Sequence, residues 1–299
     1  MRGPTMPKKK TTTTGKKSRS ATAKPSQPAT VPQPDKRRLD CTPSRDTDSD
    51  WQVGQLFETR PDLLVPEANL PEHVDLRVGC DWWHVANQES TGGCVGWALA
   101  DSVMRWHFVR AQKLPPDQPL SPRFLWMAAK ETDEFIERPE TFIEGSGTSL
   151  KAALDIARRY GCVTENILGF KTNTLYQGSP EAFYFQAAHF KISAYVRLGT
   201  EREWLRWLAT PGRGPIFARL EVDQTFHAPI NGRLNLYNPY PSGSKQGGGH
   251  AVAIVGYEKR SDFIIRNSWG QSWGNNGYAV ASSSYVRDAI TEVYGVFLL

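Results

Sequence analysis

The hydrophobic period of this chain changes once along its length. From Val95 to about Thr210, apolar residues recur at helical spacing or fill whole helical windows. VGWALADSVMRWHFV has no long polar face and reads as a helix buried on most sides. LSPRFLWMAAKE follows, with Ser121 placed to cap it and Pro122 at the first helical position. In GTSLKAALDIARRYG, Thr148 or Ser149 caps the start, Leu150, Ala153, Leu154 and Ala157 line one face, and Gly161 ends the run. TEREWLRWLATPG opens on Thr200 and Glu203 at capping-box spacing and stops at Pro211 and Gly212. Beyond it the pattern is different. PIFARLEV, HAVAIVGY, DFIIRNSW and GYAVAS are short, β-branched or alternating runs separated by turn formers. Helices mainly first and strands mainly last predict an α+β fold with a helical half and a β half. A cleft between two such halves is the natural place for a site.

Composition divides the chain again. Residues 1–40 hold eleven Lys/Arg and two Asp, against 36 basic and 31 acidic residues in all 299. The net charge of +5 therefore comes from the tail, and the remainder is slightly acidic. That gives no general case for nucleic-acid binding. Residues 1–50 are low complexity, with KKKTTTTGKKSRS followed by AKPSQPATVPQPDKRR, and too poor in apolar groups to offset their chain entropy. They are expected to form a disordered, solvated basic tail, with binding to an anionic surface as a second role. Residues 51–69 are expected to pack on the domain as an N-terminal extension, and 70–299 to form that domain. There is no internal repeat.

Four cysteines, Cys41, Cys80, Cys94 and Cys162, are sparse and show no CxxC spacing. A disulfide framework or zinc cluster is not expected, although one bridge such as Cys80 to Cys162 stays open. No metal or cofactor is expected. No window holds eighteen consecutive apolar residues, and the basic N-terminus lacks the apolar core of a secretory signal. The expectation is a monomer without a membrane span, in a reducing compartment such as the cytoplasm.

In ANQESTGGCVGWALADSV, Cys94 is either a buried structural thiol or a nucleophile set at a helix start, where the dipole favours a thiolate. A nucleophile needs a base, an orienting group and an oxyanion donor. Of six histidines, His250 stands apart in KQGGGHAVAIVGY, where three glycines leave room for another backbone to approach a strand. Asn267 follows in DFIIRNSWGQSWGNNGY. A hairpin turning at EKRSD would bring it to His250 as acceptor of the ring N–H, with Trp269 shielding that bond. Gln88 offers a side-chain amide which, with the Cys94 N–H, could hold an oxyanion.

In this order the blocks resemble the papain family of cysteine peptidases. LPEHVDLR, NQESTGGC, GHAVAIVGY and IIRNSWGQSWGNNGY are each similar to a family block, and the resemblance spans residues 70–299. It implies a two-lobed fold, a mainly helical lobe and a β-barrel-like lobe with the cleft between them. It also implies Cys94 as nucleophile, His250 as general base and acid, Asn267 as orienter and Gln88 in the oxyanion hole. An extended peptide or protein substrate would meet Gly92, Gly145, Gly147, Gly249 and Trp269.

Several positions depart from the family pattern. Thr91 stands where the family has a disulfide cysteine, and Val95 and Gly96 replace tryptophan and alanine, with Trp97 as the residue to refill that volume. Glu89 replaces a glycine and sets a carboxylate near the oxyanion donor. The family's helical inhibitory prodomain has no counterpart in residues 1–50, so control is expected by other means. Two alternatives use the same scaffold: a non-catalytic peptide-binding module, and an acyl transferase that passes the thioester to an amine. A metal site at Cys94 and His250 lacks further ligands at suitable spacing.

Overall fold

The structure is a computed structural model that describes residues 37–132, 146–171 and 176–298, with Met1 and Gly3. Asp35–Leu299 forms one compact unit and Met1–Pro34 another. Most of the expected basic tail, residues 2 and 4–36, lies outside the described residues.

The helical run after Cys94 consists of Cys94–Gly96, a π-helical stretch Trp97–Met104, and Arg105–Arg110. Every residue from Cys94 to Phe108 is buried, which is why the run shows no polar face. The capping signals act as read. Ser121 Oγ accepts from Phe124 N–H at the start of Pro122–Thr132, and Ser149 Oγ accepts from Ala152 N–H at the start of Leu150–Arg159. Thr200 and Glu203 close a capping box on Glu201–Ala209. Helix Pro180–Ala187 carries little helical period, and it and Ser283–Ala289 each start on a serine cap.

The strands are β1 His73–Asp75, β2 Ala194–Arg197, β3 Ile216–Val222, β4 Arg233–Leu234, β5 Gly248–Glu258, β6 Asp262–Arg266, β7 Tyr278–Ser282 and β8 Ile290–Phe297. They run in the order β2-β8-β3-β5-β6-β7-β4, with β1 on β5. No pairing joins β2 to β4 among the described residues, so the expected barrel-like lobe is an open sheet. Its far edge is a two-residue parallel pair between β4 and β7, too short to support closure.

The centre of the sheet is buried on both faces. Ala251, Ala253 and Val255 of β5 join the helical core, with Phe217 and Ile264 beside them. Val252 and Ile254, alternating with them, join a second core that holds Trp204, Trp207 and Ile265. The strand through which His250 enters the fold is thereby fixed from both sides. No helix among the described residues is long and apolar enough to cross a membrane.

Of the stretch expected to be a solvated tail, residues 37–50 belong to the compact unit. Cys41 and Asp50 are buried. Asp50 pairs with Lys151 at 2.6 Å and accepts from the Tyr294 hydroxyl at 2.6 Å. Composition misleads here because main chain and charge make many of these contacts, and only Cys41 and Leu39 add apolar packing to the two cores. In residues 51–69, Arg197 N–H donates to Trp51 O at 2.8 Å and Arg206 Nε donates to Val65 O at 2.9 Å.

His107 is buried with its Nε2 unpartnered, and burial lowers its pKa from 6.5 to about 4, helped by the Arg213 charge. The unfolded chain takes up this proton near pH 6.5 and the folded protein only near pH 4. Stability from this group is therefore whole above about pH 6.5 and falls by about 3 kcal/mol as the pH drops to about 4. Urea midpoints of wild type and His107→Leu, measured across that range, should show the smaller acid loss in the variant.

Candidate active site

The β5–β6 hairpin builds half of the site. It pairs Glu258 with Asp262 and turns through Lys259 and Arg260, both left-handed at φ 53° and 55°. Ala253 lies opposite Arg266, so the start of β5 and the residues after β6 meet. His250 Nε2 donates to Asn267 Oδ1 at 2.8 Å, and Ser268 N–H donates to the same oxygen at 2.8 Å. The Trp269 ring lies 4.9 Å from the imidazole, and Phe226 lies 5.7 Å from it on a second side. His250, Asn267, Trp269 and Phe226 are all buried. Excluding water strengthens the His250–Asn267 bond and fixes the ring's orientation. Phe226 and Trp126 both belong to buried packing.

The loop before Cys94 is stitched to the residues after β6. Gln88 N–H donates to Ser268 O at 2.8 Å, and Ser268 Oγ donates to Gln88 Oε1 at 2.7 Å. Asn87 and Trp269 form an antiparallel bridge, and Gly270 N–H donates to Ala86 O at 2.9 Å. Gln88 Nε2 gives one hydrogen to Thr91 O at 3.0 Å, which leaves its second hydrogen for another acceptor. Cys94 is wholly buried at the helix start, with the Ala251 N–H and the His250 ring beside its sulfur. Glu89 turns outward in a left-handed conformation and pairs with Lys171 at 2.8 Å. Its charge is thus partly answered before any substrate arrives.

A buried ionic link not foreseen in the sequence joins these two halves. Arg266, the last residue of β6, donates to Asp101 at 2.7 Å, to Ser102 Oγ at 2.6 Å and to His84 O at 2.8 Å. Arg105 completes the Asp101 carboxylate at 2.9 Å. The available signal was one charge inside each of two apolar runs, WALADSVM and FIIRNS, with opposite signs.

The cleft between helix start and hairpin is filled by residues 37–42. Asp40 bridges to Gly249, and Thr42 to Ser149. Cys41 N–H donates to Gly249 O at 3.0 Å, Arg219 Nε donates to Cys41 O at 3.0 Å, and Thr42 N–H donates to Thr148 O at 3.2 Å. The Arg37 guanidinium lies 4.4 Å over the Trp269 ring. A Cβ on Gly249 would stand 2.0 Å from Cys41 O, and one on Gly147 would stand 1.6 Å from Asp40 O. These glycines do admit another backbone, and it is the chain's own. Gly92 lies under the Asp40 carboxylate, whose oxygen is 3.2 Å from where its Cβ would be. Gly145 lies outside the described residues.

The sequence profile of the papain family cysteine proteases matches residues 70–292. The chain belongs to this family. Among curated relatives, mouse cathepsin J is 27% identical over 218 residues, which is 70% of this chain and 59% of that protein. Macrodontain-1 of Ananas macrodontes is 31% identical over 215 residues, covering 70% of this chain and 87% of the relative. The chain thus spans somewhat under two thirds of cathepsin J and most of macrodontain-1. Among solved structures, xylellain, a cysteine protease from Xylella fastidiosa, superposes with TM-score 0.68 at 19% identity, over 91% of this chain and all of that one. Bromelain from Ananas comosus, in complex with the E64 inhibitor, gives TM-score 0.56 at 21% identity, over 77% of this chain and all of that one. The papain fold is therefore present.

The departures from the papain family pattern have local physical reasons. A Cβ on Gly96 would stand 2.2 Å from Pro122 O, so the helix Pro122–Thr132 packs where the family has alanine. Trp97 stacks edge-on against Phe170 at 4.8 Å, while Val95 is wholly buried. All four cysteines are free, which removes the open Cys80–Cys162 bridge. Thr91 replaces a disulfide with a hydrogen bond, its hydroxyl donating to Gln88 O at 2.7 Å.

The Cys94 thiol is held well below the usual thiol range, first by a hydrogen bond with the Cys41 thiol and then by the His250 ring. Burial, and then the same bond, push Cys41 well above that range. The sign follows: Cys94 stays a thiolate as the pH falls below the ordinary thiol value of about 8.5, and is protonated only at its own depressed value. The ultraviolet thiolate absorbance that wild type shows in excess of Cys94→Ala should persist to that lower pH. In Cys41→Ala the transition should move upward.

Proposed function

We propose that this papain-family protein hydrolyses peptide bonds through a thioester on Cys94, once residues 37–42 have left the cleft. The observation that carries the reading is the 2.8 Å bond from His250 Nε2 to Asn267 Oδ1, which leaves the otherwise unpartnered Nδ1 as the nitrogen to serve Cys94. The Cys94 thiolate attacks the carbonyl carbon of an extended peptide. The Cys94 N–H and the second hydrogen of Gln88 Nε2 stabilise the oxyanion. His250 gives its proton to the leaving amine, then takes one from the water that hydrolyses the thioester. Asn267 acts by orienting His250, and Trp269 by covering that bond. Gly92, Gly147 and Gly249 would offer the substrate the close backbone approach that residues 40–42 now use.

The papain-family relatives support a peptide or protein as substrate. Each group named above lies in one chain, which supports a monomer as the working unit. The eleven basic residues of the first forty suit an anionic surface, and the sparse cysteines suit a reducing compartment such as the cytoplasm.

The test is hydrolysis of an unstructured protein by wild type, Thr42→Pro, Cys94→Ala and Gln88→Ala. Thr42→Pro deletes the N–H that holds the segment to Thr148 O and should raise the rate. Cys94→Ala should abolish turnover in either background. Gln88→Ala should lower kcat by about 100- to 1000-fold, the effect of losing one oxyanion donor, about 2.7–4 kcal/mol. Turnover that survives in Cys94→Ala would refute the mechanism. Products formed with an added amine would reveal acyl transfer in place of hydrolysis.

A further inference from the structure

The papain-family mechanism uses Cys94 but not the second buried thiol beside it. Cys41 is 2% exposed and Cys94 0%, and both belong to one buried cluster. The Cys41 thiol reaches Thr42 O at 3.9 Å. Residues 40–42 lie between Gly249, next to His250, and Gly92, two residues before Cys94, and each thiol shifts the titration of the other. The main chain of Cys41 is held on both sides of the sulfur, through its N–H to Gly249 O and its carbonyl to Arg219 Nε. The neighbouring bridges of Asp40 to Gly249 and Thr42 to Ser149 fasten it to both walls of the cleft. Its position is therefore set by main-chain bonds. The remaining cysteines are engaged elsewhere. Cys80 donates to Leu76 O at 3.4 Å, and Cys162 to Val163 O at 3.3 Å.

We propose that Cys41 is a resolving cysteine for Cys94, and that the two form a reversible disulfide which locks residues 37–42 into the cleft. The proposal rests on the reading of Cys94 as an activated nucleophile. With hydrogen peroxide as oxidant, the Cys94 thiolate attacks one peroxide oxygen and displaces hydroxide, leaving a sulfenic acid. The Cys41 sulfur attacks that sulfenic sulfur. The S–O bond breaks, the S–S bond forms, and the departing oxygen leaves as water with the Cys41 proton. In sum, two thiols lose two hydrogens and one peroxide becomes two waters. A dithiol reductant returns both thiols by exchange. The bond closes at an S–S length of about 2.05 Å.

The lock has two consequences. It turns a non-covalent plug into a covalent one under oxidising conditions. It also intercepts the Cys94 sulfenic acid before further oxidation to the irreversible sulfinic state.

The experiment uses the full chain, reduced and then exposed to hydrogen peroxide. Free thiols are blocked with N-ethylmaleimide, and the protein is digested without reductant for mass spectrometry. The expected product joins the Cys41 and Cys94 peptides, two hydrogens lighter than their sum. Labelling of Cys94 by a peptidyl epoxysuccinate should be lost in step and regained with dithiothreitol. In Cys41→Ala the same treatment should leave Cys94 as sulfinic or sulfonic acid, with labelling not regained. Oxidised wild type without the joined peptide would overturn the proposal, as would Cys41→Ala regaining label as wild type does. If that variant does not fold, the joined peptide in wild type decides alone. Reduced Thr42→Pro that takes no epoxysuccinate at Cys94 would instead sink the peptidase reading. Label at Cys94 without a joined peptide would sink only the lock.

Discussion

A thiol on the helical half must meet an imidazole on the sheet, and the buried Arg266–Asp101 pair ties those two halves together. Asp101 lies two turns beyond Cys94, and Arg266 immediately precedes Asn267. The guanidinium, 1% exposed, gives its two terminal nitrogens to a carboxylate, a hydroxyl and a carbonyl, while Arg105 completes the same carboxylate. Such a pair adds little net stability over an apolar replacement, but losing one partner strands a buried charge at a cost of about 3–5 kcal/mol. Its contribution is geometric. It allows one arrangement of helix against hairpin, and that arrangement fixes Cys94, His250 and Asn267 together.

The rest of the site is built outward from this tie by short polar contacts. Ser268 is the pivot, giving its hydroxyl to Gln88 Oε1 and its N–H to Asn267 Oδ1, and accepting the Gln88 N–H on its carbonyl. One residue thus sets the oxyanion donor and the orienting amide at the same time. The aromatic wall of Phe226 and Trp269 keeps water from these bonds.

Much of this was legible because its signals are local. The caps at Ser121, Ser149 and Thr200 lie within four residues of the N–H groups they serve. The β5–β6 hairpin turns over a few residues, so spacing alone aligned His250 with Asn267. What escaped is non-local or carries no apolar signature. The Arg266–Asp101 link joins residues 165 apart. Residues 37–42 enter the cleft by main-chain bonds and by a cation over Trp269, contacts to which composition is blind. The glycines at 147 and 249 announced an approaching backbone correctly, without saying whose it was. Closure of the sheet depends on edge pairings that hydrophobic period does not encode.

Residues 37–42 are covalently part of the molecule whose cleft they fill. A competing peptide therefore meets an opponent whose local concentration does not fall on dilution. If the cleft is open for only a fraction of the time, the apparent dissociation constant of every ligand rises by the inverse of that fraction. Selectivity then includes a threshold common to all substrates, set by the few hydrogen bonds at Cys41 and Thr42. A substrate's contacts must exceed it before differences among side chains count.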